Sequence, residues 1–221
     1  YASSVEVRSR GPMGIQSDFS VRGAGFGQAL VLVNGIRINN TQSGHHNADF
    51  PVLLDDIERI EILNGPGSSL YGADAFGGTI NIITRDAGSR TRVEVSGGQH
   101  GFASGSASMG FVTGDLAQSF SVAGSRSSGF MYDRDFQTFG ITSHTSHKGS
   151  SLIVSHIDRD FGANGYYGPA PSKEWTENSM IGLGQEILAR GPWRMDGQAY
   201  YQTHNDHFLY DLRTPGVAEN F

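Results

Sequence analysis

Two histidine groups carry side chains that could ligate a metal or move a proton. The stretch NTQSGHHNADFP, Asn40 to Pro51, holds the adjacent pair His45 and His46, and neutral imidazole is the commonest side-chain ligand for transition metals. Neighbouring residues of an extended chain point to opposite faces, so both reach one ligand only in a curved loop. Otherwise the same residues, with Asn47 and Asp49, pin the loop by hydrogen bonds. In His204-Asn205-Asp206-His207 the spacing again puts the imidazoles on opposite strand faces, which gives neither a shared metal nor a triad. Asp158, Asp160 and Asn164 offer the oxygens that calcium takes, without the glycine and glutamate spacing of an EF-hand. No nucleophile stands beside a base, so the sequence nominates no catalytic residue and no resident cofactor.

Glycines are the other chemically suggestive group, and GSSLYGADAFGGTINIITR, Gly67 to Arg85, has the spacing of a phosphate cradle. A P-loop also needs Gly-Lys-Ser/Thr, which is missing. In Gly23-Ala24-Gly25-Phe26-Gly27-Gln28 the last position is Gln28, where a dinucleotide fingerprint requires glycine. With 31 glycines in 221 residues the chain favours tight turns and close backbone approach over helices. A net charge of −6, with Lys and Arg dispersed, leaves no basic field for nucleic acid. Absent cysteine removes disulfides, thiolate metal sites and cysteine nucleophiles together.

Two stretches of different pattern must position these residues. Up to about Arg85, short apolar strands such as FSVRG (Phe19 to Gly23) and ALVLVNG (Ala29 to Gly35) alternate with loops. Leu54 to Glu58 reads as a turn of helix, and Arg59 to Leu63 and Thr79 to Thr84 read as strands. After about Thr91 one parity is apolar and the other small or polar. Ala103, Met109 and Phe111 oppose Ser104, Ser106 and Ser108, and a similar alternation runs from Trp193 to His204. Leu152 to Ile157 breaks the pattern by being apolar on both parities, and it is weak around His144 and His147.

Strands of about ten residues with period two are the signature of a transmembrane β-barrel. Short connections (Thr113 to Leu116, Lys148-Gly149, Arg190 to Pro192) alternate with long ones (Ser127 to Asp135, Gly162 to Glu177, and from Asp211), as periplasmic turns alternate with outside loops. Trp193 then belongs to the periplasmic aromatic girdle. A soluble β-sandwich or solenoid would also alternate, with shorter strands and less uneven loops. No apolar run approaches the ~18 residues of a membrane-spanning helix.

The segments FSVRGAGFGQALVLVNGIRIN and DDIERIEILNGPGSSLYGADAFGGTINIITR closely resemble the plug domain of TonB-dependent outer-membrane receptors, over nearly all of Val5 to Arg85. FGANGYYGPAP and HNDHFLYDLRTPG are similar to barrel loops of the cobalamin-type and iron-complex receptors in that family. The resemblance implies a mixed α/β plug, residues 1–88, followed by antiparallel transmembrane β-barrel strands, residues 89–221. About seven strands follow the plug, an incomplete barrel where the family closes a ring of about 22.

The resemblance also implies function. Such a receptor binds a scarce nutrient, cobalamin or an iron siderophore or another chelate, and imports it across the bacterial outer membrane with a TonB-type energy coupler. The coupler box and first plug strands are expected before Tyr1, and the chain is expected to stop inside the fourth outside loop, near Leu212 to Phe221. Outer-membrane lipid is the expected surrounding. Ligand contact falls to His45, His46 and Asn47 at the plug apex and to Tyr166 and Tyr167 in the third outside loop, whose rings could equally anchor in lipid head groups. Arg22, Gly23, Gly65, Pro66, Tyr71, Gly72, Gly77, Gly78 and Asn81 match the plug's structural motifs, and the glycines, with Gly67, serve close packing rather than phosphate. Arg22 matches one of two family arginines that face barrel glutamates, while Asn64 replaces the other, so Arg22 either bonds the barrel wall or satisfies groups within the plug. A β-rich surface adhesion protein without transport is the alternative from another class.

Overall fold

A computed structural model of the chain describes residues 4–41, 43–65, 73–214 and 219–220. It divides into two compact units, Tyr1–Phe50 with Ile57–Arg85, and Pro51–Asp56 with Asp86–Phe221.

In the first unit, β1 (Val5–Ser9) pairs antiparallel with β2 (Ser17–Val21). A four-stranded sheet contains β3 (Ala29–Val33), β4 (Ile36–Arg37), β5 (Ile57–Asn64) and β6 (Gly78–Thr84) in the order β4-β3-β6-β5. The run ALVLV has no polar position because β3 is buried along its whole length and pairs in parallel with β6. One parity packs Ala29 with Val21 and Ile80, and the other packs Leu30 and Leu32 with Ala75.

Asn34 and Gly35, with φ of 50° and 81°, make the two-residue turn from β3 to β4. The Asn34 amide ties that turn to β6, donating to Thr84 Oγ1 at 2.8 Å and accepting from the Thr84 N–H at 2.9 Å. Asn81 accepts from the Gly35 N–H at 3.1 Å, which gives the Gly-Gly-x-Ile-Asn element its role. A Cβ on Gly77 would stand 2.5 Å from that of Ala24, and one on Gly78 would stand 2.7 Å from the Leu63 carbonyl oxygen. Both positions therefore admit only glycine without a backbone shift. Gly65 takes φ of 103°, whereas Pro66, Gly67, Tyr71 and Gly72 lie outside the described residues.

The helical turn expected over Leu54 to Glu58 is a single 3-10 turn, Leu54–Asp56. Pairing of Ile57 with Thr84 draws the chain into β5 at once.

The second unit is a meander in which each strand pairs antiparallel with its sequence neighbour, β7 (Thr91–Gly97), β8 (Ala103–Thr113), β9 (Leu116–Ser127), β10 (Phe136–His147), β11 (Ser150–Gly162), β12 (Lys173–Arg190), β13 (Trp193–Leu209) and β14 (Glu219–Asn220). Among the described residues the sheet does not close on itself. One face exposes Val93, Met109, Phe120, Val122, Ile141, Val154, Ile181 and Tyr201, and Trp193 is exposed just after the turn that precedes it. The opposite face receives Pro51–Asp56.

Two expected boundaries move. The third outside loop is residues 163–172 rather than Gly162 to Glu177, and β13 continues past His204 to Leu209. Side chains hold the extension: Trp175 stacks on His207 with centroids 5.0 Å apart, and Lys173 pairs with Asp160 at 2.9 Å.

Candidate functional site

In the first unit the loop after β4 turns through a 3-10 segment, Gly44–His46, begun by the Ser43 hydroxyl, which accepts from the His45 N–H at 3.2 Å. His45 points back onto β2: its Nδ1 lies 2.8 Å from Asp18 Oδ1, and its ring stacks on Phe26 with centroids 4.2 Å apart. Asp18 also holds Arg10 at 2.9 Å, so one carboxylate organises two cationic or polar groups. The Asn47 amide accepts from the Asn40 N–H at 3.0 Å and donates to the Phe26 carbonyl at 3.3 Å, closing the loop. His46 and Asn47 are buried. Arg22 adopts a left-handed backbone, and its Nη1 lies 3.7 Å from where a Cβ on Gly65 would be, within the same unit.

In the second unit the ends of the loop 163–172 are clasped by the Ala163 N–H donating to the Ser172 carbonyl at 2.6 Å. Tyr166, 5% exposed, packs against Phe161, and the Arg134 guanidinium lies over its ring at 4.2 Å. Arg134 Nε also donates to the Asn164 carbonyl at 2.7 Å, which ties this loop to the one following β9. Burial pushes the Tyr166 phenol up, and Arg134 opposes that shift. Tyr167 keeps 37% of its surface exposed, donates to the buried Glu174 at 3.0 Å and meets Phe208 edge-on at 5.3 Å. Phe208 in turn packs against Tyr210 at 6.4 Å. The result is an aromatic patch with a carboxylate beneath it, suited to a flat, polar ligand.

The two predicted tyrosines thus differ: Tyr166 is a buried brace, and Tyr167 retains an open face. Sequence reasoning missed Arg134, Glu174 and Phe208. Phe208 shares a cross-strand pair with Glu174, and that register is invisible before the strands are aligned.

Register also brings a serine of β12 against a histidine and an aspartate of β11. His156 Nδ1 lies 2.8 Å from Ser179 Oγ, and its Nε2 lies 3.0 Å from Asp158 Oδ2. At Ser179 both flanking strands pair with β12, so the amides that would form an oxyanion hole are committed to the ladder. His156 and Ser179 continue the cross-strand row of Ile141, so the trio is a polar cluster on the face that exposes the apolar side chains.

A family model described as the TonB-dependent Receptor Plug Domain matches residues 1–79. Residues 1–79 are a plug domain of the TonB-dependent outer-membrane receptors. The barrel-like antiparallel strands follow this plug in the same chain. Similar curated relatives of this receptor are the vitamin B12 transporter BtuB of Vibrio vulnificus, 42% identical over 80 residues, and the iron-regulated outer membrane virulence protein of Vibrio cholerae, 47% identical over 79 residues. These matches cover 36% and 33% of this chain and only 13% and 12% of the relatives. Among solved structures, the unliganded ferric citrate transporter FecA aligns with a TM-score of 0.75 at 14% identity, over 94% of the receptor chain and 37% of its own. That likeness carries the fold.

Proposed function

We propose that the whole receptor captures a scarce nutrient, a metal chelate such as an iron siderophore or cobalamin, and carries it across the outer membrane with a TonB-type coupler as the energy source. The observation that carries this reading is the plug sequence of residues 1–79 in one chain with a meander of long strands whose exposed face is apolar. A plug acts as a gate, and a ligand opens a gate only by binding its open state better than its closed one.

Tyr167, with Phe208 and Tyr210, supplies the aromatic surface on which a chelate or corrin would stack, and Glu174 fixes the Tyr167 hydroxyl. His45, His46 and Asn47 are the plug's contribution to the same task, presenting a folded loop rather than two free metal ligands. Of the two Vibrio relatives, one is named for vitamin B12 and the other for iron regulation, so both cargo classes enter the test.

The test is accumulation of radiolabelled cobalamin and of ferric siderophores by cells that lack their own receptors and express the full-length protein, with and without the coupler. Coupler-dependent accumulation of one class is expected. Accumulation of none, or accumulation indifferent to the coupler, would reject the proposal, and surface binding without uptake would favour an adhesion protein.

A further inference from the structure

The segment Pro51–Asp56 lies within the plug sequence, yet it belongs to the second unit. The chain leaves the first unit after Phe50, crosses the polar face of the strands and returns at Ile57. Its contacts form a regular series. The Pro51 carbonyl accepts from Ser155 Oγ at 2.6 Å, the Asp56 carboxylate accepts from Ser121 Oγ at 2.6 Å, and Asp55 accepts from Ser106 and pairs with Arg92 at 3.5 Å. Thr142 lies beside Asp56. Ser121, Thr142 and Ser155 stand in one cross-strand row on β9, β10 and β11, so the hydroxyls form a rail beneath the segment.

Between these polar ends, Pro51, Val52 and Leu53 are buried. Leu53 fits over Gly140, where a Cβ would lie 2.7 Å from Leu53 Cδ2 and 3.1 Å from Ile157 Cγ1. The double-parity apolar character of Leu152 to Ile157 follows from this contact, since Val154 is exposed on one face while Ile157 meets the segment on the other. Apolar anchoring in the centre and charge-assisted hydrogen bonds at one end make an attachment that does not depend on the sheet of the first unit.

We propose that Pro51–Asp56 is a fixed anchor, a piece of the plug sequence that stays docked on the barrel strands while the first unit rearranges or unfolds. Its role in transport rests on the function proposed above, whereas its persistence does not.

Both parts are tested in the full-length receptor on a cysteine-free background. Leu53→Cys, in the anchor, and Ala29→Cys, in the core of the first unit, are labelled with a maleimide across a urea series. At the urea concentration that half-labels Ala29→Cys, Leu53→Cys is expected to react at least tenfold more slowly. Equal rates, or faster reaction at Leu53→Cys, would overturn the anchor. Because Leu53→Cys trims the anchor itself, the pair Asp56→Cys with Ser121→Cys supplies a second reading. Oxidation should form the disulfide readily in native membranes and leave cargo uptake at the level of the reduced form. Failure to cross-link, or loss of uptake on oxidation with recovery on reduction, would overturn it. If neither form takes up any cargo, the transport proposal fails, and cross-linking with the urea series still decides the anchor.

Discussion

Asp56 shows how one side chain reports on its surroundings. Burial raises its pKa above the ordinary 3.8, the Ser121 hydrogen bond and the nearby Thr142 hydroxyl pull it down, Asp55 raises it further, and His144 lowers it. A raised carboxyl pKa means that the folded state holds the proton more tightly than the unfolded chain does. Its contribution to stability is therefore full below 3.8 and is lost as pH rises through the raised value. The anchor should loosen across that window. Labelling of Leu53→Cys is expected to quicken as pH rises there, and Asp56→Asn should flatten the profile. Asp55, itself paired with Arg92, and His144 both act on Asp56, so the same series in Asp55→Asn and His144→Gln separates their parts. At the aromatic patch, Tyr167→Phe removes only the bond to Glu174 and is expected to weaken cargo binding a few-fold, about 1 kcal/mol. Phe208→Ala, which removes the ring against Tyr167, should cost at least tenfold, read by equilibrium binding to the full-length receptor.

Among elements, the close approaches make the clearest predictions. Gly77→Ala drives a methyl to within 2.5 Å of the Ala24 Cβ and should destabilise the first unit by about 1–3 kcal/mol, seen as earlier urea-dependent labelling of Ala29→Cys with Leu53→Cys unchanged. Much of the element plan was legible from the sequence: ALVLV as a short apolar strand and the serine parity of β8 against Met109 and Phe111 both follow from period. Other features were not. The turn at Leu54–Asp56 shows acidic and apolar residues but not their partners, because Ser106, Ser121, Thr142 and Ser155 lie 51 to 104 residues away from theirs. Likewise β12, at 18 residues, outruns the expected length because Trp175 and Lys173 find partners that only register supplies.

For the whole molecule, the two faces of the meander carry different demands. The exposed row Val93, Val122 and Ile141 is continuous across strands that pair residue for residue, as a lipid-facing belt requires. Val122→Arg on this belt is expected to cost about 2–4 kcal/mol in vesicle unfolding of the full-length receptor. The same charge at Thr138, whose hydroxyl contacts Ser125 near the outer end of β10, should be borne more easily. The chain spans 37% of the length of the aligned ferric citrate transporter.

The meander and the parallel pair also differ in time. Every pairing from β7 to β13 joins neighbours in sequence, some across turns as short as Lys148-Gly149, and hairpins of that kind close within microseconds. β3 must wait for β6, whose matching residues lie 49 positions further along, and loop-closure entropy slows such encounters. Refolding should therefore raise the wall before the gate, and the chain between Phe50 and Ile57 would already be fastened when the gate's core closes.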